Sequence, residues 1–262
     1  MNAPTHPVGA LLRQWRQRRR LSQLDLACDA EISTRHLSFV ETGRAQPSRE
    51  MLLHLAEQLD IPLRERNRLL AAAGYAPLFP QRTLDDPALA GARQAIEQLL
   101  KAHEPNPALA IDRQWNLLAA NDAVMALIAG VAPALLGPPL NVLRLTLHPQ
   151  GLAPRIANLG QWRAHLLERL RHDIEVSGDG ELQALYDELA AYPAPPAPDA
   201  LVADGVLVPL QLDTPLGVIS FISTITVFGT PVDVTLSELA LETLFPADPE
   251  SAERLRQILR MG

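Results

Sequence analysis

Residues 21–47 read LSQLDLACDAEISTRHLSFVETGRAQP, and two short helical patterns separated by a tight break lie inside them. Ser22 has the chemistry of an N-cap, and Asp25 in the next turn suits the positive end of a helix running to about residue 29. Leu24 and Ala27, with Cys28, are expected on its buried side. Ala30 and Glu31 make the break, and Ile32 plugs the angle beyond it. Ser33 caps a third helix reaching Glu41, in which Leu37 and Val40 at i, i+3 spacing turn inward. Gly43 ends it as a left-handed residue. One helix braced against another whose outer face stays free is what a helix-turn-helix needs to enter a DNA major groove. The duller alternative is a helical bundle with an ordinary polar surface. Cap, break, plug and turn all argue against it.

Working outward, residues 8–20 read as a helix with Leu11, Leu12 and Trp15 on one face and Arg13, Arg16, Arg18, Arg19 and Arg20 elsewhere. Pro47-Ser48 opens a fourth helix with the apolar stripe Met51, Leu52, Leu55, Ala56 and Leu59. Pro62 starts a fifth, carrying Leu63, Leu69 and Leu70, which Gly74 stops. Five short helices with tight connections make a compact helical domain over residues 1–76. Residues 77–92 contain Pro77, Pro80 and Pro87, lack a sustained period and read as a linker.

Residues 93–262 have another character. After a helix over 92–103, ALAIDRQWNLLAAN reads as two short strands around a turn near Asp112-Arg113. Asn121 caps a helix to about residue 128, and 141–147, 159–176 and 181–191 are further helices. Residues 193–198 are proline-rich and read as a loop. Residues 205–212, 217–228 and 232–236 have the β-branched, alternating look of strands, with hairpin turns at Thr214-Pro215 and Gly229-Thr230. A helix over 250–260 closes the chain. The fold expected is mainly α for the first domain and α+β for the second, with one antiparallel sheet under covering helices.

The bulk properties agree with two domains. The chain has 262 residues and a net charge of −7, but its first 75 residues carry 11 arginines against 8 acids. A basic head on an acidic body suits phosphate binding by the head alone. Cys28 is the only cysteine, which excludes an intrachain disulfide and argues against a thiolate metal site. No apolar run approaches the ~18 residues of a membrane span, and the start lacks the apolar core of a secretory signal. A cytoplasmic protein, nucleoid-associated when DNA-bound, with no membrane partner is expected.

On the third helix, Thr34, Arg35 and Ser38, with Phe39 beside them, take the face opposite Leu37 and Val40. An arginine forks onto guanine O6 and N7, which suits Arg35, and Thr34 suits a thymine methyl or a phosphate. Gln23 stands where its amide reaches a phosphate, and Arg44, Ser48 and Arg49 flank the turn after the helix, where they grip backbone. Ser33 begins this face. Double-stranded DNA is the expected partner.

The same stretch resembles the helix-turn-helix of the phage-repressor class known as the XRE family, through Leu21-Ser22-Gln23, Ala27, Ile32-Ser33, Leu37, Glu41, Gly43 and Pro47-Ser48, which implies a five-helix phage-repressor-like first domain. That resemblance implies phosphate and some base contact for Gln23, and base contacts for Thr34, Arg35 and Ser38. The run PSREMLLHLAEQLDIPLRERNRLLAAAGYAP, then AIDRQWNLLAANDAVMAL, NVLRLTLHP, LGQWRAHLLERLRHD and FPADPESAERLRQIL, is similar to the MmyB-like regulators. They join an XRE head to a PAS-like ligand-binding domain associated with a fatty acid. Where that family has a histidine at a strand start, this chain has Val208-Pro209. The resemblance therefore implies a homodimer that binds DNA and a small apolar, fatty-acid-like molecule.

For such a ligand the expected contacts are Trp115, Asn121, Met125, Trp162, His165, Arg171 and Phe221, with Leu117, Leu127, Ile128, Leu166, Leu170 and Ile225 as further apolar lining. Core packing is the competing reading for each apolar residue, and a helix cap is the competing reading for Asn121. His165 and His172 lie seven apart without a third metal ligand, so no metal is expected. No cofactor motif and none of HExxH, GxSxG or a phosphate loop is present, so no catalytic residue is expected. Two alternatives stay open: a second domain that only dimerises, and an enzyme using Asp173 or His165 behind a DNA-binding head.

Overall fold

The computed structural model describes residues 7–196 and 207–261 and divides into two compact units. The first comprises the N-terminal residues to Thr83 with Glu175–Ser177 and Thr230–Ser237. It is built on α1 (Pro7–Arg18), α2 (Gln23–Asp29), α3 (Thr34–Glu41), α4 (Arg49–Gln58) and α5 (Leu63–Ala72). Ser22, Ser33 and Ser48 cap α2, α3 and α4, each hydroxyl accepting from the backbone N–H three residues on. Gly43 ends the turn after α3 at φ +74°. Leu12, Trp15, Leu26, Leu37, Val40, Leu52, Leu55, Leu69 and Leu70 make the core.

One expected face is corrected. Leu26 and Ala27 are the buried residues of α2, whereas Leu24 is 60% exposed and Cys28 is exposed. In so short a helix the i, i+3 spacing of Leu24 and Ala27 is matched by the adjacent pair Leu26-Ala27. Only packing against α1 and α3 chooses between them.

Gly9 sets how closely α1 approaches α3. A Cβ there would lie 2.4 Å from the Val40 carbonyl oxygen and 2.7 Å from that of Glu41. Backbone cannot swing aside as a side chain does. Gly9→Ala is therefore expected to destabilise this unit by ~1–3 kcal/mol, although alanine is the better helix former. Thermal unfolding of the two proteins side by side checks this; an unchanged or raised midpoint would contradict the close approach.

The second unit contains α6 (Ala90–Ala102), α7 (Asp122–Leu127), α8 (Val142–Leu147), α9 (Leu159–Ser177, to Ile174), α10 (Gly180–Ala191) and α12 (Pro249–Met261). They surround an antiparallel sheet of β1 (Ala108–Ile111), β2 (Leu117–Ala120), β3 (Leu210–Thr214), β4 (Gly217–Val227) and β5 (Ala240–Pro246), in the order β2-β1-β5-β4-β3. β1 is buried on both faces. Leu109 and Ile111 join the main core with Trp162, Leu166, Ile219 and Phe221, while Ala108 and Ala110 pack with Ile96 and Leu100 of α6. The period-2 alternation of a strand produces both faces from four residues.

Two sequence expectations fail here. Residues 232–236 are not a strand: Val234–Ser237 form α11, whose first turn Asp233 caps by accepting from the Thr235 N–H. The hairpin expected at Gly229-Thr230 is instead a longer connection from β4 to β5. The strand itself, β5, lies at ALETLFP, where alanine, leucine and glutamate favour a helix in isolation. Pairing with β1 on one side and β4 on the other overrides that preference. Of the strand expected over 205–212, residues 205 and 206 lie outside the described residues, as do 197 and 198 of the proline-rich loop; β3 begins at Leu210.

Candidate functional site

The first unit assembles its polar residues around α3. Arg16, on α1, donates from Nε and Nη2 to both oxygens of Glu41, at 2.7 and 2.9 Å, and from Nη1 to the Leu21 carbonyl. Gln23 Nε2 donates to the same Glu41 at 2.8 Å. One carboxylate thus joins three helices, and its side chain is only 1% exposed. Gln23, read from sequence as a phosphate contact, has one amide N–H engaged within the fold. That bond fixes its orientation at the start of α2.

Glu41 as a buried organiser was missed in the sequence, yet a signal was present. Leu12, Trp15 and Arg16 share one helical face, as do Leu37, Val40 and Glu41. Opposite charges standing in two apolar stripes mark a buried pair.

The outer face of α3 carries Thr34 and Ser38, half-buried, and Arg35, exposed. Half-buried Phe39 stands one turn beyond Arg35, whose guanidinium lies 5.4 Å from the ring centre. The Arg44 guanidinium lies 5.9 Å from the same ring. The Phe39 carbonyl accepts from the N–H groups of Arg44 and Ala45, at 2.8 and 3.1 Å. Phe39 therefore holds the turn through its backbone and two arginines through its ring. Ser33 and Ser48 have their hydroxyl oxygens in the caps of α3 and α4. Arg44 and Arg49 are exposed beyond α3, and Arg49 opens α4. Exposed guanidiniums beside a helix with small polar residues can fork onto base edges and bind phosphates.

The second unit encloses a small cavity lined by Trp115, Leu143, Thr146, Trp162, Leu166, Glu242 and neighbouring apolar side chains. Its volume of 60 Å³ is room for about two waters. Trp115 is buried with φ +65°, a left-handed conformation costly for a bulky residue. The Arg169 guanidinium stacks 4.2 Å from its ring centre. Glu242 lies 3.7 Å from Arg169 Nη1. The His165 and Trp162 rings are 5.3 Å apart. Trp162 is 3% exposed, and its indole N–H has no hydrogen-bond partner among the described residues. Leaving such a donor unpaired costs ~1–3 kcal/mol.

The charged groups are tuned by burial. Desolvation pushes the carboxyls of Glu242 and Asp173 up, opposed in both by Arg169. Desolvation, then the Arg169 charge, pushes the His165 imidazole down. Arg169 is itself lowered by desolvation, against the attraction of Glu242 and Asp173.

The expected ligand contacts divide. Trp115 and Trp162 line the cavity, His165 stacks beside it, and Phe221 is fully buried in the core around it. Asn121 is displaced from that role: its side chain accepts from the Ala108 N–H and donates to the Leu100 and Asn106 carbonyls, locking the start of β1. It stands at the head of α7 without a side-chain cap bond. Met125 is 55% exposed, and Arg171 faces outward in an ion pair with Glu168. Neither lines the cavity. Ile225 is 40% exposed.

Arg169 and Glu242 were not anticipated. Arg169 follows Trp162, His165 and Leu166 on one helical face, so the α9 period marks it where it excludes Arg171. Glu242 had no such signal, because β5 itself was not legible. A larger groove of 410 Å³ opens elsewhere on this unit, but its one charged residue, Arg155, donates from Nη1 to the Leu127 and Ala129 carbonyls. Among the described residues no cluster of three or more His, Cys, Asp or Glu is placed to hold a metal, and no helix is long and apolar enough to cross a membrane.

Comparison with known families matches two stretches of the chain. A helix-turn-helix domain model matches residues 7–69, and a model described as the MmyB-like transcription regulator ligand binding domain matches residues 92–258. No curated protein matches the chain.

Proposed function

Because the chain belongs to the MmyB-like transcription regulators, we propose that it binds a specific DNA operator as a homodimer and that a small apolar, fatty-acid-like molecule in the sheet domain controls that binding. That it is a DNA-binding regulator follows from the two matched families. The finer reading rests on the outer face of α3 for DNA and, for the ligand, on the Trp162 N–H, unpartnered among the described residues, at a small cavity. No catalytic step enters this role.

The cavity size gives the ligand its leverage. A void with room for two waters cannot take an alkyl chain without parting its walls. A ligand therefore binds the opened conformation far better than the closed one, and only such differential affinity shifts an equilibrium. Native mass spectrometry of protein purified from cells under several growth conditions tests the ligand. A retained small lipid is expected, and repeated absence would leave the sheet domain as a dimerisation scaffold. Footprinting on selected duplexes tests the DNA reading.

Phe39 supports both arginines, so its ring should matter without contacting a base. Two exposed cation–π contacts are worth ~0.5–1 kcal/mol each. Phe39→Ala is expected to weaken operator binding by ~5–30-fold, with Phe39→Tyr close to wild type. Titrations by fluorescence anisotropy decide; an equally defective tyrosine variant would count against the stacking role.

A further inference from the structure

The polar wall of the cavity in the second unit has an unusual charge balance for a site expected to take an acid. Among the described residues its charged lining is Glu242 of β5; Arg169 of α9 pairs with Glu242 and stacks on Trp115, which also lines the cavity, and Asp173 and His165 of α9 interact with Arg169 in turn. Arg169 faces both carboxyls and lies 3.7 Å from Glu242. Asp173 also bonds the Trp115 side chain and has His172 nearby, and Ser223 of β4 bonds Glu242. Arg169 is thus already engaged by two acids before any ligand arrives. Among the described residues the remaining unmet demand is for an acceptor: the Trp162 indole N–H, buried and without a partner there, at the cavity wall.

Resting on the ligand reading above, we propose that this site holds its ligand uncharged, with an oxygen acceptor on the Trp162 indole N–H, and that a carboxylic acid enters only together with a proton. A bare carboxylate would be a third negative group around one buried guanidinium, and burying an uncompensated charge is strongly unfavourable. The proton comes from solvent and resides on the ligand carboxyl or on Glu242. A primary amide or alcohol of the same chain length satisfies Trp162 with no such requirement. The ligand class is therefore a neutral, acceptor-bearing amphiphile, and an acid qualifies only in its protonated form.

The sign of the pH effect follows. Burial raises Glu242 and Asp173, so each holds a proton more readily than in water. Supplying a proton is easy at low pH and harder as pH rises. Affinity for an acid should fall by about tenfold per pH unit when one proton accompanies each molecule, and that for an amide should stay level.

The test is calorimetric titration of the delipidated full chain with octanoic acid and with octanamide between pH 6 and 8.5, in buffers of different ionisation enthalpy. We expect pH-independent octanamide binding, octanoic acid weakening by about tenfold per unit, and uptake of one proton per acid bound. Glu242→Gln removes one carboxylate at equal size. It should strengthen octanoic acid at pH 8 by tenfold or more and reduce its proton uptake, with octanamide little changed. Trp162→Phe should weaken both probes about tenfold. Octanoic acid that binds equally well at pH 6 and 8.5 without proton uptake would overturn the inference and leave the ligand reading intact. Binding of neither probe would remove that reading, and the inference with it.

Discussion

Replacing Arg35 with alanine is expected to reduce operator affinity by ~10–100-fold while changing affinity for unrelated duplex by about twofold or less. A bidentate arginine on guanine gives ~1–3 kcal/mol of discrimination, and each 1.4 kcal/mol is a factor of ten. Arg35 is exposed on the outer face of α3 and steadied over the Phe39 ring, and on the proposed DNA reading it is the side chain assigned to base contact. Arg49 opens α4, and the same proposal assigns it to the DNA backbone. Arg49→Ala should weaken specific and non-specific complexes alike and make the slope of log affinity against log salt shallower by about one. Binding isotherms on operator and scrambled duplex at three salt concentrations separate the two behaviours. An Arg35→Ala protein that still selects its operator normally would refute the base-reading assignment.

Breaking the Arg16–Glu41 pair is expected to have the largest effect on stability. Both side chains are buried, at 10% and 1% exposure, and Glu41 also holds Gln23. Removing one partner leaves the other charged and without compensation, a change that costs ~3–5 kcal/mol. For a unit of this size that lowers the melting point by more than ~15 °C. Glu41→Leu alone and Arg16→Met alone should both unfold the first unit well below the wild-type temperature. The double variant should recover most of the loss, because two apolar side chains of similar size need no counter-charge. Gln23 then loses its anchor at the head of α2, so the recovered protein should still bind DNA more weakly than wild type. Circular dichroism melts of the four proteins, with operator titrations at 20 °C, give both readouts. Additive losses in the double variant would show that the pair is not coupled.

The helical unit was largely legible because its signals are local. A serine cap declares itself within three residues, Gly43 and Gly74 supply the positive φ a helix end needs, and the α4 stripe repeats at helical spacing. The exception, Leu24 against Leu26, arose in a seven-residue helix where two registers fit equally well. In the sheet unit, α8, α9, α10, α12, β1 and β4 were legible for the same reason, while β5 was not. Its residues carry helical preference, and only hydrogen bonds to β1 and β4, distant in sequence, hold them extended.

The chain alone therefore determined the helix-turn-helix, the arginine on its outer face and the division into a helical and an α+β part. Each follows from short-range spacing, capping or residue chemistry. Tertiary structure alone decided that Asn121 ties backbone, that Arg171 faces solvent, and that Glu242 from β5 meets Arg169 from α9 at the cavity. A buried charge takes its meaning from what surrounds it, and those neighbours come from strands and helices that the chain brings together only on folding.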